Sequence, residues 1–203
     1  MLGTGKLGGQ VKSSLKIGTR HLAILQSEQG LTALVFDEPQ KTFIRHWRLT
    51  EDPASGAYVT TRVINDSIWL AHMHEVLGIL SVTQIPVAAL DEDKPTMTTE
   101  IVDGEADKSY RGLDIAIASF RGQPVLYYLD GWALRLREAL RKDGGWTSRE
   151  IPLDGALGFY TQVLEENDER LTLGCHNFRT NLDKTNRSFE DLMTFQVSPP
   201  IGG

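Results

Sequence analysis

A faint internal repeat of about fifty residues constrains this chain more than any other feature. Trp47, Met97 and Trp146 open three similar stretches: Trp47-Arg-Leu-Thr-Glu-Asp, Met97-Thr-Thr-Glu-Ile-Val-Asp-Gly and Trp146-Thr-Ser-Arg-Glu-Ile-Pro-Leu-Asp-Gly. Each is followed 11 to 14 residues later by a tyrosine beside a turn, namely Tyr58, Tyr110 and Tyr160. The tyrosines are 52 and 50 residues apart, and the large apolar starters 50 and 49. Self-similarity at such a period points to a stacked or radial repeat, in which no unit buries its own apolar face.

Within the period, short apolar runs alternate with turn signals, the pattern of antiparallel strands. The first unit reads as strands at His21-Leu-Ala-Ile-Leu-Gln, Leu31-Thr-Ala-Leu-Val-Phe and Phe43-Ile-Arg-His-Trp-Arg. Residues 132–142 combine good helix formers with Leu134, Leu136 and Leu140 alternating with arginines, which suits helix or strand. Their place in the repeat, where other units have a third strand, predicts a strand. The reading gives a flexible, glycine-rich segment over 1–9 and one domain over 10–203, with units near 10–54, 55–107, 108–154 and 155–203. The fourth unit is expected to lack its outermost strand.

Four strands per unit is the pattern of a β-propeller blade, so the predicted fold is an all-β, propeller-like repeat of about four four-stranded antiparallel blades. A β-sandwich satisfies the same short strands, and the period favours the propeller. The third unit, with Arg121-Gly-Gln-Pro-Val-Leu-Tyr-Tyr-Leu-Asp, Leu134-Arg-Leu-Arg and Asp143-Gly-Gly-Trp-Thr-Ser-Arg-Glu, resembles a BNR-like, sialidase-type propeller blade. Asp143-Gly-Gly-Trp-Thr matches the Asp-box of that family in part: Arg141 stands at its first hydroxyl position, and the closing Thr-Trp order is reversed. That element is a structural hairpin turn in the family, so the resemblance implies architecture and no catalytic residue.

Composition narrows the partners. A net charge of −6 and the interleaving of Arg135, Arg137, Arg141 and Lys142 with leucines argue against nucleic acid, which is bound by clustered basic residues. No apolar run approaches the roughly 20 residues of a membrane helix, and the N-terminus has no apolar core of a signal peptide. The expectation is a soluble, cytoplasmic protein with no membrane partner. Cys175 is the single cysteine, so no intramolecular disulfide forms; Leu-Gly-Cys-His reads as a buried strand thiol.

Candidate chemistry is sparse. Gly3-Thr-Gly-Lys-Leu-Gly matches G-x-G-x-x-G, but no strand can precede it to build a dinucleotide turn, so no cofactor is expected. His72 and His74 lie two apart and point the same way on a strand, where His46 or His176 could join them from a neighbouring unit; no metal is predicted from two imidazoles alone. Acids cluster at turns: Asp37-Glu38, Asp91-Glu-Asp93, and Glu165-Glu166 with Asp168. A glycosidase needs two carboxylates facing one another across a cleft, which sequence does not place.

Trp47, Met97, Trp146, Tyr58, Tyr110 and Tyr160 recur with the repeat and read as structural. Trp69 and Trp132 break it, and with His72 and His74 are the candidate binding residues. The functional expectation is a non-catalytic binding or scaffolding module engaging a protein partner or its own copy. A carbohydrate-binding propeller and a divergent glycoside hydrolase or lyase are the alternatives.

Overall fold

The computed structural model describes residues 9–104, 110–153, 156–180 and 188–199. The glycine-rich residues 1–8, and with them the Gly3–Gly8 motif, lie outside the described residues. Fifteen described strands form four antiparallel sheets, each a simple up-and-down meander. The first sheet holds β1 (Gln10–Ile17), β2 (Arg20–Ser27), β3 (Gly30–Asp37) and β4 (Thr42–Arg48). The second holds β5 (Ser55–Ile64), β6 (Ser67–His74), β7 (Ile79–Pro86) and β8 (Thr98–Asp103). The third holds β9 (Arg111–Phe120), β10 (Gln123–Asp130), β11 (Arg135–Lys142) and β12 (Gly145–Glu150). The fourth has three described strands, β13 (Ala156–Glu166), β14 (Leu171–Thr180) and β15 (Ser188–Val197).

The sheets stack face to face as propeller-like blades, with the first strands side by side: β1 on β5, β5 on β9 and β9 on β13. Strand alternation builds this stack, because a side-chain period of two gives each middle blade two apolar faces. In β6, Ile68 and Leu70 face the first blade while Trp69 and Ala71 face the third. In β10, Leu126 and Tyr128 face the second blade while Val125 and Tyr127 face the fourth. The three resulting clusters are one core per blade-to-blade junction. Segment 135–142 is strand β11, in which Leu136, Glu138 and Leu140 are buried.

The repeat is real, but two of its markers are set differently from the sequence reading. Trp47 lies near the end of β4, Met97 precedes β8, and Trp146 is the second residue of β12, so they do not lead equivalent strands. The connections explain the offset. β3 and β4 are joined by a short turn, whereas β7 and β8 are separated by a 3-10 helix, Val87–Asp91, that delays β8. That insertion caps the first junction: Ala89 and Leu90 are buried there, and Arg20 reaches Asp91 at 2.9 Å. Trp47 donates its indole N–H to the Glu92 carbonyl at 3.1 Å.

The second correction concerns the tyrosines. The structural equivalent of Tyr58 and Tyr160 in the third blade is Asp114, not Tyr110. All three follow a glycine by two residues, Gly56, Gly112 and Gly158, and all six residues have positive φ. The ladder slips at each of these places, so each is a β-bulge on a first strand.

Candidate functional site

The bulges key neighbouring blades together. A Cβ on Gly56 would strike the Leu31 side chain at 2.5 Å; on Gly112 it would meet Leu80 at 3.1 Å, and on Gly158 Leu129 at 3.3 Å. Each glycine thus admits a leucine of the preceding blade. Two residues on, the left-handed backbone (φ 52, 46 and 53) re-aims Tyr58, Asp114 and Tyr160. The Tyr58 hydroxyl is pushed above its ordinary pKa first by burial and then by the Asp114 charge. Asp114 accepts a hydrogen bond from the backbone N–H of Tyr160, yet burial still raises its carboxyl above the usual range. The series runs from blade to blade, Tyr58 to Asp114 to Tyr160, and ends at Tyr160, whose ring is exposed and packs edge-on against His176 at 5.2 Å.

Tyr160 opens onto the outer face of the fourth blade. In β14 the odd residues Leu171, Leu173 and Cys175 belong to the junction with the third blade, so Thr172, Gly174 and His176 face outward. Gly174 and His176, with Tyr160, Gln162, Leu164, Leu192 and Thr194, border an open depression of about 170 Å³. Gly174 makes room for it: a Cβ there would meet the Leu164 side chain at 3.1 Å. Leu164 is half exposed and Leu192 is 72% exposed, although both lie on a packing-sized sheet face.

The first blade has an outer face of matching kind. Leu22 and Ile24 point into the first junction, leaving His21, Ala23 and Leu25 outward. His21, Phe36 and Phe43 form an edge-to-face ring cluster there, with centroids 6.1 and 5.4 Å apart, and Phe43 is 48% exposed. The described core clusters join the first sheet to the second, the second to the third and the third to the fourth; none joins the fourth to the first.

The candidates from sequence scatter. Trp69 is 5% exposed and meets Trp146 edge-on at 6.2 Å inside the second junction, so it is corrected from a surface platform to a packing residue. Strand alternation is the cause: in a blade with neighbours on both sides no face is left for solvent. Trp132 is 65% exposed, at the turn after β10, where its backbone N–H and that of Ala133 donate to Asp130. Trp47 and Met97 pack in the first junction, and Trp146 against the second. Tyr110 accepts the Gly131 N–H through its carbonyl.

His72 and His74 part company. His74 lies at the strand end and its Nε2 is 2.8 Å from Asp52. His72 is buried with neither ring nitrogen hydrogen-bonded, and burial pushes its pKa down to about 4. Among the described residues, no group of three His, Cys, Asp or Glu is arranged to hold a metal ion. The turn acids are engaged within the chain: Asp37 and Asp91 with Arg20, Glu38 with Lys16, Asp93 with Arg45, and Glu166 with Arg62.

Sequence reasoning missed two buried polar networks. Glu138, fully buried on β11, accepts from the Tyr127 hydroxyl at 2.8 Å and from Arg149 at 2.7 Å. In the second junction Asp103 accepts from the Tyr128 hydroxyl and from Arg137. Burial pushes Asp103 up, but the hydrogen bonds from Tyr128 and Ser148 and the charges of Arg137 and Arg111 together more than offset it and hold the carboxyl below its usual range. Both networks fasten blades and strands rather than line an open cleft.

No family model matches the chain, and no curated protein matches it. Among solved structures, one from a structural and mechanistic analysis of two prolyl endopeptidases is similar in part. It aligns with 90% of this chain and 25% of its own length, at 11% identity and a TM-score of 0.47. The chain therefore spans about a quarter of that protein. No helix among the described residues is long and apolar enough to cross a membrane.

Proposed function

We propose that this chain is a non-catalytic binding or scaffolding module that engages a protein partner or its own copy through the outer faces of its first and fourth blades. One observation carries the reading: Phe43, Leu164 and Leu192 are exposed on sheet faces whose counterparts inside the stack are buried against the next blade. Apolar side chains gathered on such a face, rather than scattered singly, mark an interaction surface. The BNR-like character of the third blade belongs to this proposal for its architecture alone, as does a cytoplasmic location.

Capture on immobilised protein tests it. Partners, the chain itself included, are expected to be retained by the wild type and lost by the double variant Phe43→Asp/Leu192→Asp. Equal retention by the two would overturn the reading.

A carbohydrate-binding role is the second reading, favoured by Trp132 alone. Its ring is exposed on a turn fixed by two hydrogen bonds to Asp130, a pre-set platform for stacking on a sugar. Loss of glycan binding in Trp132→Ala is the expected result; a wild type that is silent on a glycan array, with unchanged tryptophan fluorescence, would remove it.

A further inference from the structure

We infer that the carboxylate of Asp114, with the rings of Tyr58 and Tyr110, is a seat for a guanidinium cation where the second and third blades meet. The inference goes beyond the outer-face reading above. Its residues lie between two middle blades, so either proposal can fail without the other.

An acid without a counter-charge carries the argument. Asp37, Asp103, Asp130, Glu138 and Glu166 are withdrawn from solvent, and each meets an arginine. Asp114 is half-buried, takes one backbone hydrogen bond, from the Tyr160 N–H, and forms no ion pair among the described residues. An ionised carboxylate offers about four acceptor sites, so most of its capacity is open. A carboxylate held partly out of water with no cation beside it costs folding energy, the mark of a site rather than of a packing contact.

Two rings flank that charge. Tyr58 stands at the equivalent bulge on the neighbouring first strand, and its side chain is 46% exposed. Tyr110 immediately precedes β9, and its ring lies so close on Gly131 that a Cβ there would come within 2.5 Å of it. After burial, the groups that raise the Tyr58 hydroxyl are Asp114, Tyr110, Glu75 and Tyr160, in that order. All four are acids gathered about one hydroxyl. Glu75 is exposed and, like Asp114, forms no ion pair among the described residues.

This chemistry selects the ligand. A hard metal ion seeks about six or more oxygens, and among the described residues no group of three His, Cys, Asp or Glu could hold one. A guanidinium is weakly hydrated, stacks on aromatic faces and pairs with a carboxylate through a planar fork of donors. Both parts of the seat therefore recognise it, whether it comes from an arginine side chain or from a free guanidine.

NMR titration of the isotope-labelled 203-residue chain tests the assignment. The probes are a capped Gly-Arg-Gly peptide, its citrulline counterpart of the same shape and no charge, and methylguanidine. The arginine peptide is expected to move the amide signals of Tyr58, Asp114 and Tyr160 to saturation, and the citrulline peptide to leave them in place. Asp114→Asn keeps a residue that tolerates the left-handed backbone and is expected to weaken binding about tenfold, the loss of a charged hydrogen-bonded pair. Tyr58→Leu weakens it several-fold and Tyr58→Phe does not, because the ring face makes the contact. Unmoved signals elsewhere in each variant's spectrum show that it folds. Methylguanidine binding as tightly as the arginine peptide assigns the seat to a free guanidine, and weaker binding assigns it to a polypeptide arginine; both support it. An arginine peptide that moves none of the three signals, a citrulline peptide that binds equally, or wild-type binding by Asp114→Asn or Tyr58→Leu each overturns the inference. None of these results bears on the outer faces, which the Phe43→Asp/Leu192→Asp variant tests separately.

Discussion

At the scale of single residues, the buried polar side chains among the described residues divide into those with partners and His72, which has none. His72 sits in the core with both ring nitrogens unpaired, so folding requires it neutral. Its pKa falls from 6.5 to about 4 on folding, and the unfolded chain therefore binds the extra proton between those values. Stability contributed by this group is present above pH 6.5 and is lost as pH falls towards 4. Between pH 7 and pH 4.5 the loss is about 2 kcal/mol. His72→Leu is expected to flatten that part of the pH dependence, measured by urea unfolding of both proteins at the two pH values. Glu138 is the opposite case, a fully buried carboxylate held by the Tyr127 hydroxyl and by Arg149. Arg149→Met leaves that charge uncompensated. The expected cost is about 2 kcal/mol, below the usual range for breaking a buried pair because the Arg149 side chain is half exposed. A shift in the urea midpoint reads it, and Glu138→Gln in the Arg149→Met background recovers part of the loss.

At the scale of strands and turns, the bulges set how blades meet. Gly112→Ala combines a φ of +98 with a Cβ 3.1 Å from Leu80, and is expected to destabilise by about 2 kcal/mol. Alanine at Gly144, also at positive φ but with nothing within 4 Å, separates the two effects: it pays only for the backbone. A thermal melt of the two variants gives the comparison. The strands themselves were legible from alternation, because a period of two with turn residues between runs has few other meanings. β11 is the instructive case. Composition allowed a helix, and only its place in the repeat made Leu136 and Leu140 readable as strand residues on one buried side. The bulges were less legible. Tyr110 lies near the expected spacing by chance, while the equivalent position is held by Asp114, which shares backbone geometry with Tyr58 and Tyr160 but not chemistry. What is common to the three is a glycine two residues earlier. The exposure of Leu164 and Leu192 was not legible at all, since an apolar residue on an end blade has the same local pattern as one on a middle blade.

At the scale of the whole molecule, the stack is close to one-dimensional, each blade touching mainly its neighbours. Stability in such an array is a sum over blades and junctions, so an end blade with one covered face opens more easily than a middle blade with two. The fourth blade also has three described strands rather than four. Two probes built into the chain test the order. Cys175 is buried in the fourth blade and burial raises its thiol pKa, so it stays silent to thiol reagents while that blade is intact. Trp69 and Trp146 report on the second junction. Labelling of Cys175 is expected at lower denaturant than the tryptophan fluorescence change, and coincident transitions would show one all-or-none unit instead. The glycine sockets carry a further consequence for anyone who cuts or extends this architecture. The socket on Gly112 belongs to one blade, and the Leu80 that fills it belongs to the blade before. A blade excised from first strand to last leaves with an empty socket and abandons its own plug. The transplantable module runs from plug to plug, nearly half a blade out of phase with the sheets, and a graft made on sheet boundaries mates a socket with a stranger.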